Sequence, residues 1–207
     1  TMLPIESYRY NNNAQRWASA STGRFVPERQ VVNEMRVHQE ATYSTLDSLT
    51  TRLYDGSITL PQWQAAIAQE LKDAHLAQSM FAVGGKNNMT AQNYGRVGGV
   101  LADEYRYLTR FANDISAGRV SRAQALARIK QYGKATQQSY WREYRDTSDF
   151  VRWILNPGES CGDCIDLSTG GIDNNGLYRA SDLRTVPGAG ETECRGNCNC
   201  TLERITR

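Results

Sequence analysis

No cysteine occurs before residue 161 of this 207-residue chain, and the whole chain has only two histidines. The long upstream part therefore holds no thiol for a disulfide, a thiolate nucleophile or soft-metal ligation. His38 and His75 alone cannot build a histidine-rich metal centre. No run of eighteen apolar residues is present, so no segment reads as a membrane-spanning helix. Neither sign of charge dominates: the net charge is +2, too small to argue for nucleic acid from the total. The opening residues, Thr1 to Glu6, have no basic start and no apolar run of signal length. That favours free thiols over disulfides, although Thr1 before Met2 suggests a trimmed start.

The cysteines that are present form one pattern. Cys161-Gly-Asp-Cys164 is followed by Cys194-Arg-Gly-Asn-Cys198-Asn-Cys200. A pair two residues apart, then a long loop, then a tight cluster is how a chain builds a tetrahedral metal site. Four thiolates with no open position make a structural zinc site, not a catalytic one. Disulfides are the competing reading, but five is an odd number, and Cys198 and Cys200 are too close in sequence to bridge easily. The expected ligands are four of Cys161, Cys164, Cys194, Cys198 and Cys200. Cys198 is favoured over Cys200, because its closing turn through Arg195-Gly196-Asn197 is the tighter one. Gly162 and Gly196 are expected at positive φ, turning amides toward sulfur.

Composition fits a folded, water-soluble chain, 40% hydrophobic and 22% charged, with one core and a small appendage. The predicted fold is mainly α: an extended N-terminal arm (1–26), an antiparallel helical body (27–146) and a small Cys-rich metal-binding module (147–207). The arm is polar, with Asn11-Asn12-Asn13 and a turn at Thr22-Gly23-Arg24, yet it carries Tyr8, Tyr10, Trp17 and Phe25. Such a segment orders against its own body or a neighbouring subunit.

The body predicts about four helices in two hairpins. The first runs from about Pro27 to Leu53, with Val32, Met35, Tyr43, Leu46, Leu49 and Leu53 near one face. The second opens with Thr59 as cap, Pro61 in its first turn and Gln62 three residues on, stapled by Ile58 and Trp63. Its face is Trp63, Ile67, Leu71 and Ala74. The third shows Tyr94, Val97, Leu101, Tyr105, Leu108, Ala112 and Ile115 before Gly118. The fourth is capped by Ser121 with Gln124 and runs toward Arg145. Gly56 to Gln62 matches Gly118 to Gln124 in type, 62 residues apart, which hints at a repeated hairpin; shared capping grammar would produce the same echo. Beyond Asp146, Phe150, Val151, Trp153, Ile154 and Leu155 form a short apolar run that packs the module against the helices. The glycine-rich turns that follow bury too little to fold without a metal.

A helical body, then Cys-x-x-Cys, a proline turn and a close Asn-Cys-x-Cys ending resembles the Mu F-like phage head-morphogenesis (minor capsid) proteins. The residues that carry the likeness are Glu159 to Leu167, Val186-Pro187-Gly188, Cys194 and Asn197-Cys198-Asn199-Cys200. The family often places a histidine just ahead of Asn-Cys-x-Cys; Cys194, one residue further out, stands in that role here. Tyr107-Leu108-x-x-Phe111 and Gly23-Arg24-Phe25-Val26 also look like segments of phage structural proteins. The resemblance implies a virion component, present in the host cytoplasm before assembly, that binds portal or capsid proteins. Apart from the resemblance, the closed metal site and the lack of an evident nucleophile or acid–base pair lead to the expectation of no enzyme activity and no small-molecule substrate, and the lack of a long apolar run to that of no membrane partner.

The sequence also admits two other functions. A nucleic-acid module contacting packaged DNA would use the basic stretch from Arg119 to Arg145, with Tyr132, Tyr140, Trp141 and Tyr144 interleaved. A zinc-dependent hydrolase or deaminase would need His38-Gln39-Glu40 beside Cys161 and Cys164, which lie more than 120 residues further along. No serine, cysteine or lysine has an evident base partner in the sequence.

Overall fold

The computed structural model describes residues 3–156, 158 and 160–205. The Thr1-Met2 start, Pro157, and Glu159 of the stretch that carries the family likeness fall outside them. The chain is mainly helical, with small sheets, and divides into two compact units, Thr1–Gly133 and Lys134–Arg207. The division falls inside the stretch read as one fourth helix, upstream of the boundary expected at residue 146.

The first unit is a helical bundle. Helices α1 (Glu28–Tyr54), α2 (Leu60–Val83) and α3 (Ala91–Ser116) are followed by α4 (Arg122–Ala135), which runs to the unit boundary. Contacts pair in opposite chain directions: Trp63 Nε1 donates to Thr50 Oγ1 at 3.2 Å, and Tyr105 donates to the Ala68 carbonyl at 3.0 Å. The core joins Leu46 of α1, Trp63, Ile67 and Leu71 of α2, Val97, Leu101, Leu108 and Phe111 of α3, and Ala125 and Ile129 of α4. Reciprocal capping boxes start α2 (Thr59 with Gln62) and α4 (Ser121 with Gln124), as the sequence indicated. A further box, Thr90 with Asn93, starts α3; its asparagine at the third helical position is a weaker signal than glutamate or glutamine.

Gly133 sets the closest approach of α4 to α1. A Cβ there would sit 2.6 Å from Cδ1 of Tyr43.

The structure corrects several expectations. The buried face of α1 is Val31, Met35, Thr42, Leu46 and Thr50, whereas Val32 is 47% exposed. Thr50 is tolerated inside because its hydroxyl donates to the Leu46 carbonyl and accepts from the Trp63 indole. Tyr94 of α3 is likewise exposed. The single fourth helix is two elements, α4 and α5 (Gln137–Asp146).

The N-terminal segment is not an extended arm. A 3-10 turn (Pro4–Ser7) leads into an antiparallel hairpin of β1 (Tyr8–Asn11) and β2 (Arg16–Ser19). Leu3, Ile5, Tyr8 and Trp17 are buried with Val31 and Met35 of α1 and Ala77 and Met80 of α2. Trp17 stacks on Phe81 with ring centroids 5.8 Å apart. Gly85, at φ 113°, lets the hairpin in: a Cβ there would lie 2.7 Å from the Tyr8 carbonyl oxygen. The aromatics thus order against their own unit; Phe25 remains 47% exposed.

The second unit contains α5, then β3 (Phe150–Ile154), α6 (Gly162–Thr169), β4 (Leu177–Arg179) and β5 (Thr201–Ile205). The strands form an antiparallel sheet in the order β4-β3-β5. The apolar run at Phe150 is its central strand, and Val151 and Trp153 are buried with Leu183, Val186, Leu202 and the cysteines. Trp141 and Tyr144 of α5 pack against the same cluster.

Candidate metal centre

All five cysteines converge in the second unit, and all are free thiols. Cys161 immediately precedes α6 and Cys164 lies in its first turn, so the helix start forms the first knuckle. Cys194 and Cys198 flank a 3-10 turn (Arg195–Asn197), and Cys200 sits just before β5. The sheet brings the two groups together, because β3 leads toward the first pair and β5 leaves the second.

Cys161, Cys164 and Cys194 have their sulfurs within 4.8 Å of one another, and so do Cys164, Cys198 and Cys200. Cys164 is common to both groups. Its Sγ lies 3.6 Å from Cys194 Sγ and 3.6 Å from Cys198 Sγ. A disulfide needs about 2.05 Å. A tetrahedral ion with metal–sulfur bonds of about 2.3 Å sets its sulfurs about 3.8 Å apart. The spacing therefore suits a shared cation better than a covalent bridge.

Burial and neighbouring groups shift three of the thiols. Burial pushes the Cys164 thiol far up, and the neighbouring Cys161 thiol adds to the rise. Burial also pushes Cys198 up to about 12. Burial raises Cys161 too, but the amides of Cys164 and Cys194 and the nearby thiols outweigh it, and the net shift is down. Buried sulfurs packed this closely cannot ionise together without a cation to offset desolvation and mutual repulsion.

The expected glycine geometry is not what closes the loop. Gly162 lies in the first turn of α6 and Gly196 in the 3-10 turn, and the left-handed residue is Arg195, at φ 51°. Two carboxylates overlooked in the sequence tie the loops together. Glu193 Oε2 accepts from the Gly162 amide at 3.0 Å, while the Glu193 amide donates to Asp163 Oδ2 at 2.8 Å. Thr192 Oγ1 lies 3.2 Å from Cys194 Sγ. An acid one residue after Gly162 and another one residue before Cys194 were the available signals, ambiguous among so many surface acids.

Glu40 pairs with Arg36, and burial lowers the basicity of His38. His75 is buried 3.0 Å from Glu104. Among the described residues, the groups able to hold a metal contain no histidine. Along the basic stretch, Arg119 and Arg128 share Asp114, Arg122 pairs with Asp55, and Arg145 pairs with Asp146. Arg142 reaches Glu191 at 3.9 Å. Tyr132 stacks on Phe111, and Tyr140, Trp141 and Tyr144 pack on one another. No described helix is long and apolar enough to cross a membrane.

The structure thus defines a mainly helical chain whose C-terminal unit carries a cysteine cluster compatible with metal binding. No family model, curated protein or solved structure matches the chain.

Proposed function

We propose that this chain is a phage structural protein of the Mu F-like head-morphogenesis (minor capsid) kind. In this reading it binds portal or capsid subunits during head assembly and carries one structural zinc ion. The observation that supports it is the convergence of Cys161, Cys164, Cys194, Cys198 and Cys200, the residues on which the family resemblance rests. Tetrahedral, all-sulfur sites select zinc or iron–sulfur clusters, and one ion suits a cage of this size. Four thiolates close the coordination sphere, so the ion would supply shape and folding energy, not turnover.

Bound zinc would neutralise thiolates that burial otherwise disfavours. Cys161, Cys164, Cys194 and one of Cys198 and Cys200 would hold it, with Asp163 and Glu193 keeping the two loops in register. The two helical hairpins would be related units, the second helix of each opened by an equivalent capping box. The protein would reside in the virion, and in the host cytoplasm before assembly. Co-expression with the portal and capsid proteins, followed by quantitative mass spectrometry of purified heads, tests this. A fixed copy number per head is expected; heads that never contain the chain overturn the assignment.

A further inference from the structure

We propose that the cage has an exchangeable corner: Cys198 and Cys200 are alternative fourth ligands, while Cys164 is the ligand no other cysteine replaces. This rests on the metal reading above and goes beyond it. Five thiols meet where a tetrahedral ion takes four, so one is always surplus. The two sulfur groups share only Cys164, which is fully buried. It lies 3.6 Å from Cys194 and 3.6 Å from Cys198, and the Cys161 and Cys200 thiols also act on it. Cys161 and Cys194 complete the first group with Cys164. The remaining corner must come from the second group.

The backbone does not rank its two members. Cys198 is extended, at φ −65° and ψ 118°, and on an extended chain residues two apart share a face. Burial alternates accordingly: Cys198 is buried, Asn199 exposed, Cys200 buried, Thr201 exposed and Leu202 buried. Both thiols therefore face the same interior and lie within 4.8 Å of the Cys164 sulfur. Exchanging one for the other needs side-chain rotation, not a change of fold. A surplus sulfur beside the ion also provides a way to change ligands without first losing one.

Cobalt(II) loading of the metal-stripped full chain tests this, because the absorption of tetrahedral cobalt reports the thiolate set. Cys198→Ser and Cys200→Ser should each keep one ion and the four-thiolate spectrum, with affinity within about tenfold of the unmodified chain. The double variant and Cys164→Ser should lose that spectrum, with affinity falling beyond the roughly 10–100-fold that loss of an outer hydrogen bond costs. Alanine versions of the single variants guard against the desolvation of a buried serine hydroxyl. If one single variant loses the spectrum in both serine and alanine forms, the corner belongs to that residue and the proposal falls. A Cys164→Ser protein with an unchanged spectrum overturns it as well. An unmodified chain that takes up no cobalt overturns the metal reading itself, and this proposal with it.

Discussion

Cys164 Sγ and Cys198 Sγ lie 3.6 Å apart, although 33 residues separate them in the chain. That spacing brings a helix start against the end of a 3-10 turn. The apolar environment that buries both thiols also makes them poor anions, so holding them as thiolates would require a cation among them.

Purified without added metal, the protein should contain about one zinc ion per chain. Elemental analysis alongside a count of free thiols checks this. Oxidised cysteines with substoichiometric zinc would refute it. Chelation should unfold the second unit and leave the helical unit folded, since metal binding in such modules is folding energy.

Asp163→Ala and Glu193→Ala remove the clamp between the two loops without touching a sulfur. Each should lower metal affinity by about 10–100-fold, the range for outer hydrogen bonds in metal sites. Competition with a chelator of known affinity measures it.

The three capping boxes make equal predictions. Thr59→Ala, Thr90→Ala and Ser121→Ala should each destabilise the helical unit by about 1 kcal/mol. Urea unfolding followed by circular dichroism gives the values, and the slope should stay unchanged.

Trp17→Ala should cost about 3–5 kcal/mol, because the indole is buried between Tyr10 and Phe81. Removing the hairpin should therefore destabilise the helical unit, not free a detachable arm. Gly133→Ala should cost about 1–3 kcal/mol through overpacking against Tyr43. Thermal unfolding of both variants tests the pair.

Tyr132 has its phenol pushed up to about 12, chiefly by burial. The neutral form is the one the fold prefers. Its contribution to stability is complete below the ordinary tyrosine value of about 10 and lost as pH rises through about 12. Spectrophotometric titration should show a late-ionising tyrosine that disappears in Tyr132→Phe.

The features legible in the sequence were local ones. Thr59-x-x-Gln62 and Ser121-x-x-Gln124 start helices because a cap needs only residues three apart. Cys161-x-x-Cys164 declares a knuckle for the same reason. The apolar period of α2 correctly placed Trp63, Ile67 and Leu71 in the core.

Tertiary structure decided the rest. Thr50 enters the core because the Trp63 indole, on another helix, offers it a hydrogen bond, while Val32 stays exposed. Trp17 is buried because α1 and α2 leave an apolar surface for the hairpin and Gly85 lets its backbone approach. Cys200 joins the cluster because the chain leaving the 3-10 turn is extended toward β5, which puts alternate side chains on one face. Caps and knuckles depend on neighbours a few residues away; burial and ligand choice depend on groups that folding alone brings together.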